Sequence, residues 1–364
     1  MSKIAQPYQI GPLTISNRII VAPMCMYSAK NGVPGPFHAQ HLGRLALSGA
    51  GLAIMEATAV SEEGRISDRC LGLWNDEQEA AFASLLSATR SYCQTPIGIQ
   101  IGHAGRKAST SALWINGGKP LSRQDGAWPV LGPTDTPFSE GWPVPHAMTD
   151  SDMDGLVSGF ENCARRADKV GFDALELHAA HGYLLSSFLS PVANTRSDEY
   201  GGSLENRMRF PLRVAQAVRN VWPNSKALGA RLNGSDWSEH GITPEEAAIF
   251  GQQLSAVGYD WLHISSGGND PMAKISAQSA YQIPFAQTVK SKNPDTTVIA
   301  VGLIKDAEAA AEVIDNHSAD LVAVGRAVLD NPNWPHHALA DLTGHADLPH
   351  QYERASLVWR KRAP

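Results

Sequence analysis

Two histidines and a tyrosine lie within six consecutive positions, as His178, His181 and Tyr183 in the stretch ELHAAHGYLLSSFLSP. They come at the end of an apolar run that extends from Phe172 to Leu177. Imidazole and phenol groups so close together can donate hydrogen bonds and exchange protons, and imidazoles can also bind a metal. Three interpretations are open at this point: hydrogen-bonded structural histidines, a metal-binding pair, or an active site at the end of a strand.

The metal interpretation needs ligands that the sequence does not obviously supply. A zinc site takes a third or fourth ligand from Cys, His, Asp or Glu, and the chain has neither an HExxH motif nor paired CxxC motifs. Its four cysteines, Cys25, Cys70, Cys93 and Cys163, are too few and too scattered for a disulfide framework. We therefore expect no metal and four free thiols, three of them serving as ordinary small apolar residues.

Eight short apolar runs rich in β-forming residues recur along the chain. They span Ile15–Pro23, Leu52–Val60, Thr95–Ile101, Phe172–His178, Ala227–Leu232, Asp260–Ser266, Thr296–Gly302 and Leu321–Arg326. Helix-patterned stretches separate most of them, for example at 161–171, 207–223, 244–258 and 306–319. Eight alternations of strand and helix predict an α/β fold, a single (β/α)8 TIM barrel that occupies residues 1–364. No GxGxxG motif follows an early strand and no P-loop motif occurs, which disfavours an open nucleotide-binding sheet.

One connection is too long for a simple loop. Residues 102–150, after the third strand, are rich in Pro, Gly and Trp. A segment of this length within a compact domain is usually a functional excursion. We expect a lid or capping excursion, with a packed decoration of the barrel as the alternative.

Charge and hydropathy exclude several classes of partner. The 364-residue chain has a formal net charge of −6, which argues against a nucleic-acid or anionic-membrane surface. The N-terminus lacks a signal-peptide pattern, and no apolar run approaches the roughly 18 residues of a membrane span. We expect a soluble cytoplasmic protein.

In a (β/α)8 barrel the chemistry lies at the carboxyl ends of the strands. The residues that finish the predicted strands include Pro23, Met24, Cys25, Ala57, Gln100, His178, Arg231, Ser265, Gly302, Gly325 and Arg326. Glycines cluster behind the last three strands, at Gly267, Gly302 and Gly325, where backbone N–H groups can cradle a phosphate. The pattern therefore predicts a phosphorylated ligand that is broad enough to touch most of the strands.

Several longer motifs resemble one family. APMCMYSAKNG at 22–32, EATAVSEEGRIS at 56–67, GIQIGHAGRKAS at 98–109, NTRSDEYGGSLENRMRF at 194–210 and VGRAVLDNPNWP at 324–335 resemble the Old Yellow Enzyme family of flavin-dependent ene-reductases, in the family's order. Cysteine in PMCMY and QYER at 351–354 are most similar to the branch of xenobiotic reductases and thermophilic-like ene-reductases. The resemblance implies an FMN-containing barrel. It would take hydride from NAD(P)H and add it across the activated C=C bond of an α,β-unsaturated carbonyl or nitro compound.

The same resemblance implies roles for individual residues. FMN would be bound by Ala22, Pro23, Met24, Cys25, Ala57, Gln100, Arg231, Ser265, Gly267, Gly302, Gly325 and Arg326. Among these, Arg231 would place positive charge near flavin N1 and O2, Arg326 would hold the phosphate, and Cys25 would tune the redox potential.

The substrate would meet a second group of residues. His178 and His181 would donate hydrogen bonds to its oxygen, Tyr183 would protonate Cα, and Tyr27 would add a further contact. Arg354, in a C-terminal tail at 348–364, would line the pocket of a neighbouring subunit in a homodimer or dimer-based tetramer. Two alternatives remain open: an NAD(P)H dehydrogenase whose acceptor is a quinone, nitro compound or metal oxyanion, and a flavin-free barrel that binds a phosphorylated ligand.

Overall fold

A closed parallel barrel forms the centre of the structure, a computed structural model that describes residues 2–355. The strands are β1 (Tyr8–Ile10), β2 (Leu13–Ile15), β3 (Ile19–Val21), β4 (Leu52–Ala59), β5 (Ile97–Gly102), β6 (Leu131–Gly132), β7 (His146–Ala147), β8 (Ala174–Ala179), β9 (Ala227–Asn233), β10 (Trp261–Ser265), β11 (Thr297–Val301) and β12 (Leu321–Val324). The barrel takes β3, β4, β5 and β8 to β12 in chain order, and every pairing between them is parallel. The predicted (β/α)8 barrel is confirmed.

Helices cover the outside of the barrel. They are α1 (Pro36–Ala46), α2 (Asp76–Arg90), α3 (Asp150–Val170), α4 (Leu184–Leu189), α5 (Leu204–Val221), α6 (Pro244–Val257), α7 (Ile283–Lys292), α8 (Ala307–Asp315), α9 (Arg326–Asp330) and α10 (Trp334–Thr343). Their ends have local causes. The Thr149 side chain accepts the Asp152 backbone N–H at the start of α3, and Gly171 ends that helix with a φ of 99°, which side-chain-bearing residues adopt only at a cost.

The first predicted strand, Ile15–Pro23, is wrong in its extent. Ile15 belongs to an antiparallel hairpin of β1 and β2, and the barrel strand begins only at Ile19. The chain turns between them, where the Asn17 side-chain oxygen accepts the Ile19 N–H at 3.1 Å. An asparagine that bonds to the backbone two residues further on favours a turn over a continuous strand.

The hairpin closes the amino end of the barrel. Its Ile10 and Ile15 are buried with Leu52 and Trp261, which are the first residues of β4 and β10. Gly229 makes room for the indole, because a Cβ there would lie 2.0 Å from Trp261 ring atoms. The barrel interior is therefore apolar at this end, and cavities for chemistry lie toward the other.

Residues 103–149 form the long excursion, which leaves the barrel after β5. It contains three short 3-10 helices, Gly105–Lys107, Asn116–Gly118 and Arg123–Asp125, together with the paired two-residue strands β6 and β7. Trp128 ties it to the β4 side of the barrel, since its indole N–H donates to the Glu63 carbonyl at 2.9 Å. Whether the excursion acts as a lid stays a prediction. Across residues 2–355 no helix has both the length and the apolar character needed to cross a bilayer.

Candidate active site

A cavity of about 680 Å³ opens at the carboxyl end of the barrel. Its lining includes nine of the residues predicted to bind a cofactor, and His181 in addition: Ala22, Pro23, Met24, Cys25, Arg231, Ser265, Gly302, Gly325 and Arg326. Together with His181, these residues come from the ends of six strands. They meet because parallel barrel strands all finish at the same end. The volume lies within the range of cofactor and small-molecule sites.

Two arginines give this cavity a positive lining. Arg231 is buried at the end of β9, and within residues 2–355 its Nε has no hydrogen-bond partner. Arg326 follows Gly325 directly behind β12. A buried guanidinium N–H without an acceptor is costly, so the cavity fits a ligand that brings its own acceptors, such as a phosphorylated, carbonyl-rich cofactor.

His178, His181 and Tyr183 form a cluster beside the cavity. The His178 ring centroid lies 5.2 Å from that of His181 and 5.1 Å from that of Tyr183. His178 Nδ1 accepts the Ala180 N–H at 3.3 Å, which places the proton of the neutral ring on Nε2. His181 Nε2 is 2.7 Å from Ser265 Oγ. Hydrogen bonding within the protein, as the structural interpretation expects, thus involves one ring nitrogen of each histidine: Nδ1 of His178 and Nε2 of His181.

Burial keeps all three groups neutral near pH 7. It lowers the pKa of His178 to about 3, with the charge of Arg231 as the next cause. The same two causes lower the pKa of His181 well below 6.5. Burial also raises the pKa of Tyr183 well above 10. The cluster therefore offers neutral N–H and O–H donors.

The backbone between the two histidines and the tyrosine is held in an unusual conformation. His181 has a φ of 63° and Gly182 a φ of 71°, and a side-chain-bearing residue in this region stores strain. The His181 N–H donates to Asn233 Oδ1 at 2.9 Å. A Cβ on Gly182 would lie 1.9 Å from the Gly268 carbonyl oxygen. Asn233 at the end of β9 and the loop after β10 thus together fix the direction of His181.

Other predicted site residues lie apart from the large cavity. Ala57, His178 and Tyr183 line a smaller neighbouring cavity. Gln100 is buried on β5, Gly267 has a φ of 79° in the loop after β10, and Tyr27 packs edge-on against Trp114 at 5.7 Å. Arg354 is exposed in a 3-10 helix at His350–Ala355, and the remainder of the predicted tail, 356–364, lies outside the described residues.

A buried polar network inside the barrel was missed from the sequence. The Glu176 carboxylate accepts the Gln100 amide at 2.7 Å, the Trp261 indole N–H at 3.2 Å and His263 Nδ1 at 2.9 Å. The signal was present as a charged residue within an apolar strand, and as a histidine in the middle of DWLHIS. The network holds Gln100 in one orientation and supplies a negative charge next to Arg231.

The sequence profile of the "NADH:flavin oxidoreductase / NADH oxidase family" matches residues 3–343. The chain belongs to this family. It is 40% identical over 356 residues to a "NADPH dehydrogenase" of Geobacillus sp. (strain WCH70), covering 97% of this chain and 98% of the relative. Membership of this flavin oxidoreductase family makes the chain an enzyme and implies a flavin and a nicotinamide nucleotide. The resemblance to the Old Yellow Enzyme family is confirmed at that level, and the branch stays a prediction.

Two solved structures of similar fold bear on the barrel. Morphinone reductase superposes with a TM-score of 0.76 at 28% identity, covering 95% of this chain and 91% of that one. A 2-naphthoyl-CoA reductase complex superposes with a TM-score of 0.82 at 23% identity, but this chain spans only 52% of its length. The second likeness therefore supports the barrel fold alone.

Proposed function

We propose that this enzyme uses FMN and NAD(P)H to reduce the activated C=C bond of α,β-unsaturated carbonyl or nitro compounds. When bound, FMN would supply the exchange of a hydride between the nucleotide and the alkene. The observation that carries the proposal is the cluster of three neutral donors, His178, His181 and Tyr183, beside a cavity lined by two arginines. A site built for metal-assisted hydrolysis would instead present carboxylates.

The chain's own residues would hold FMN at defined points. Arg326 would bind the phosphate through its two-pronged guanidinium, because this fork matches phosphate oxygens. Arg231 would donate its unpartnered Nε–H to a carbonyl oxygen of the ring system. Gln100 would present the rest of its amide to the ring edge, since Glu176 already takes a proton of its Nε2. Cys25 lines the same cavity and would tune the redox potential.

Two different tasks fall to the donor cluster. His178 Nε2–H and the ring of His181 would donate to the carbonyl or nitro oxygen of the substrate and stabilise the charge that develops there. Tyr183 would give its phenolic proton to Cα and recover a proton from solvent. Its raised pKa fits this role, because the phenol remains protonated throughout the neutral pH range. Tyr27 would add a contact to the substrate.

Substitution of Tyr183 separates alkene reduction from the alternative, in which a quinone or another acceptor is the main substrate. The relatives' name, NADPH dehydrogenase, specifies a nucleotide and leaves the acceptor open. Quinone oxygens can be protonated by solvent, so Tyr183→Phe should slow enone reduction by roughly 10²-fold or more and leave quinone turnover nearly unchanged. Stopped-flow kinetics with each acceptor measure this. Equal slowing with enone and quinone would overturn the role of Tyr183, and purified protein without any flavin would overturn the cofactor.

The proposal includes an assembly of at least two copies. It is supported by the exposed position of Arg354 in the short C-terminal helix, from which it could reach a second copy. Truncation after Leu348 should weaken the assembly and raise the substrate KM together, as followed by light scattering and steady-state kinetics. A monomeric full-length chain whose kinetics survive truncation would contradict this part of the proposal.

A further inference from the structure

The His181 ring lies against a side chain from a neighbouring strand. Ser265 is the last residue of β10, and its Oγ is 2.7 Å from His181 Nε2. The backbone of His181 is held on both sides, because its N–H donates to Asn233 Oδ1 at 2.9 Å and its carbonyl accepts from Lys107 Nζ at 2.8 Å. The contact with Ser265 therefore holds the ring in one orientation and leaves Nδ1 for a ligand in the cavity that the ring lines.

The position of the single ring proton decides what Nδ1 can do. A neutral imidazole carries one proton, on Nδ1 or on Nε2, and burial keeps the His181 ring neutral by lowering its pKa well below 6.5. In one arrangement Nε2–H donates to the Ser265 hydroxyl, and Nδ1 is only an acceptor. In the other the Ser265 O–H donates to Nε2, and Nδ1 carries the proton. The second arrangement alone provides a donor for a substrate oxygen.

The buried amide of Gln282 favours the second arrangement. Its Nε2 donates to the Val301 carbonyl at 3.0 Å, which turns Oε1 toward the two serines. Oε1 accepts the Ser266 hydroxyl at 2.5 Å and lies 3.4 Å from Ser265 Oγ. A serine hydroxyl has one hydrogen to give, and 3.4 Å is long for an O–H···O bond, whereas the 2.7 Å to His181 is an ordinary length. The Ser265 hydrogen is therefore left for His181 Nε2.

The direction of the Ser266 hydroxyl is fixed in turn by an indole. The Trp237 Nε1–H can only donate, and it donates to Ser266 Oγ at 2.8 Å. The hydrogen of Ser266 points away from the indole, and Gln282 Oε1 at 2.5 Å is the acceptor within reach. Trp237 itself stacks on Tyr281, with 6.0 Å between the ring centroids. The chain of hydrogen bonds thus begins at a group that has no choice of direction.

We propose that Ser265 is a positioning residue that fixes the tautomer of His181 with the proton on Nδ1, so that this nitrogen donates to the substrate oxygen. His178 presents Nε2–H instead, because its Nδ1 accepts the Ala180 N–H. The two histidines therefore serve one oxygen through different ring nitrogens. The opposite tautomer of His181 would turn a lone pair toward that oxygen and repel it. The role toward the substrate rests on the proposed function, whereas the tautomer is a property of the protein without substrate.

NMR of the purified enzyme, labelled with ¹⁵N-histidine, tests the tautomer directly. Long-range proton–nitrogen correlations distinguish Nδ1–H from Nε2–H in a neutral ring, and the His181 signals are identified by their loss in His181→Asn. The wild type should carry the proton on Nδ1, and Ser265→Ala should show both tautomers. Ser266→Ala should shift His181 toward Nε2–H, because Gln282 Oε1 can then take the Ser265 hydrogen. An Nε2–H ring in the wild type, or a His181 spectrum unaltered in Ser265→Ala, would overturn the proposal.

Steady-state kinetics with an enone give a second readout, expressed per bound flavin. Ser265→Ala keeps the ring and loses only its fixed tautomer, so kcat should fall roughly tenfold, less than the ~10²–10³-fold typical of removing such a donor outright. Ser265→Thr retains the hydroxyl and should recover most of the rate. Ser48→Ala is the matched control, because Ser48 is also buried, its hydroxyl accepts the Ala50 N–H at 3.3 Å before β4, and its loss should leave kcat unchanged. A Ser265→Thr variant as slow as Ser265→Ala would contradict the proposal.

A double-mutant cycle separates control of the tautomer from general damage to the site. Asparagine carries an amide nitrogen on Cγ, as histidine carries Nδ1, and this nitrogen donates without any choice of tautomer. Adding Ser265→Ala to His181→Asn should therefore slow enone reduction little further, so that the two effects are not additive. Additive slowing would mean that Ser265 acts by another route, and the assignment would be wrong. If the wild type reduces no enone but His181 has the expected tautomer, the proposed function fails and the tautomer assignment stands.

Discussion

Replacing Glu176 with glutamine should destabilise the barrel by an amount that depends on pH. Burial by itself would raise the pKa of this carboxyl, but His263 and then Arg231 more than offset it and lower the pKa to about 2 from its usual 4.5. Burial also lowers the pKa of His263 below its usual 6.5. Arg231 supplies the positive charge at neutral pH.

The magnitude follows from that shift. Lowering a pKa from 4.5 to about 2 corresponds to about 3 kcal/mol of stability, which is fully present above the unfolded-state value. As the pH falls from about 4.5 toward 2, the unfolded chain takes up protons before the folded one and this contribution is lost. Breaking a buried charge pair typically costs a similar ~3–5 kcal/mol.

Urea unfolding at several pH values measures the effect. Glu176→Gln should lower the free energy of unfolding by about 3 kcal/mol at neutral pH and by roughly half of that near pH 3. Glu161→Gln is the control, since Glu161 pairs with Arg165 on the surface of α3 at 2.9 Å and should contribute below about 1 kcal/mol. A difference between wild type and Glu176→Gln that stays constant down to pH 3, or that matches the control, would refute the reasoning.

Three further substitutions or conditions have definite expected outcomes. Gly182→Ala should lower the free energy of unfolding, as measured by thermal denaturation, by about 3 kcal/mol, because the added Cβ would lie 1.9 Å from the Gly268 carbonyl oxygen. Gly117→Ala is the control and should lower it by about 1 kcal/mol, because Gly117 has a φ of 66° and no neighbour within 4 Å of the added Cβ. Arg326→Lys should raise the FMN dissociation constant at least roughly tenfold in fluorescence titrations of apoprotein, because it loses the two-pronged contact; an unchanged constant would remove Arg326 from the phosphate site. Burial, and next the charge of Arg231, lower the pKa of His178 from 6.5 to about 3. The contribution of this group to folding stability is therefore fully present above the unfolded-state pKa of 6.5 and is lost as the pH falls. Because the folded-state ring stays neutral, stopped-flow enone reduction should show no His178 titration between about pH 6 and 8.

The fold was predictable because its signal repeats. Eight apolar runs alternate with helical patterns, and parallel strands in a barrel must all end on one side, so reading the residues behind each run also gathered most of the cavity lining. Arg231, Ser265 and Arg326 came together for this reason, although they lie far apart in the chain.

Features that depend on register or loop conformation could not be predicted in this way. Glu176 and His263 are 87 positions apart and meet at 2.9 Å because β8, β9 and β10 are neighbours with a particular alignment. The hydrogen bond from the Ala29 N–H to the Arg69 carbonyl depends on how the connection after β4 folds back on the segment after β3. The hairpin was missed because a single asparagine turn interrupts an otherwise continuous apolar run.

The hairpin of β1 and β2 lies at the end of the barrel opposite the cavity, so substitutions there and substitutions around the cavity should affect different properties of the protein. Its isoleucines seal the end of the barrel opposite the cavity, so substitutions at Ile10 or Ile15 should be felt as changes in folding and expression, with selectivity toward acceptors unaffected. Variation in the loops at the other end has the reverse character. Laboratory selection for new acceptors can therefore alter the loops at the cavity end of the barrel. Substitutions that restore stability can accumulate at the hairpin end, and the two sets should interfere little with each other.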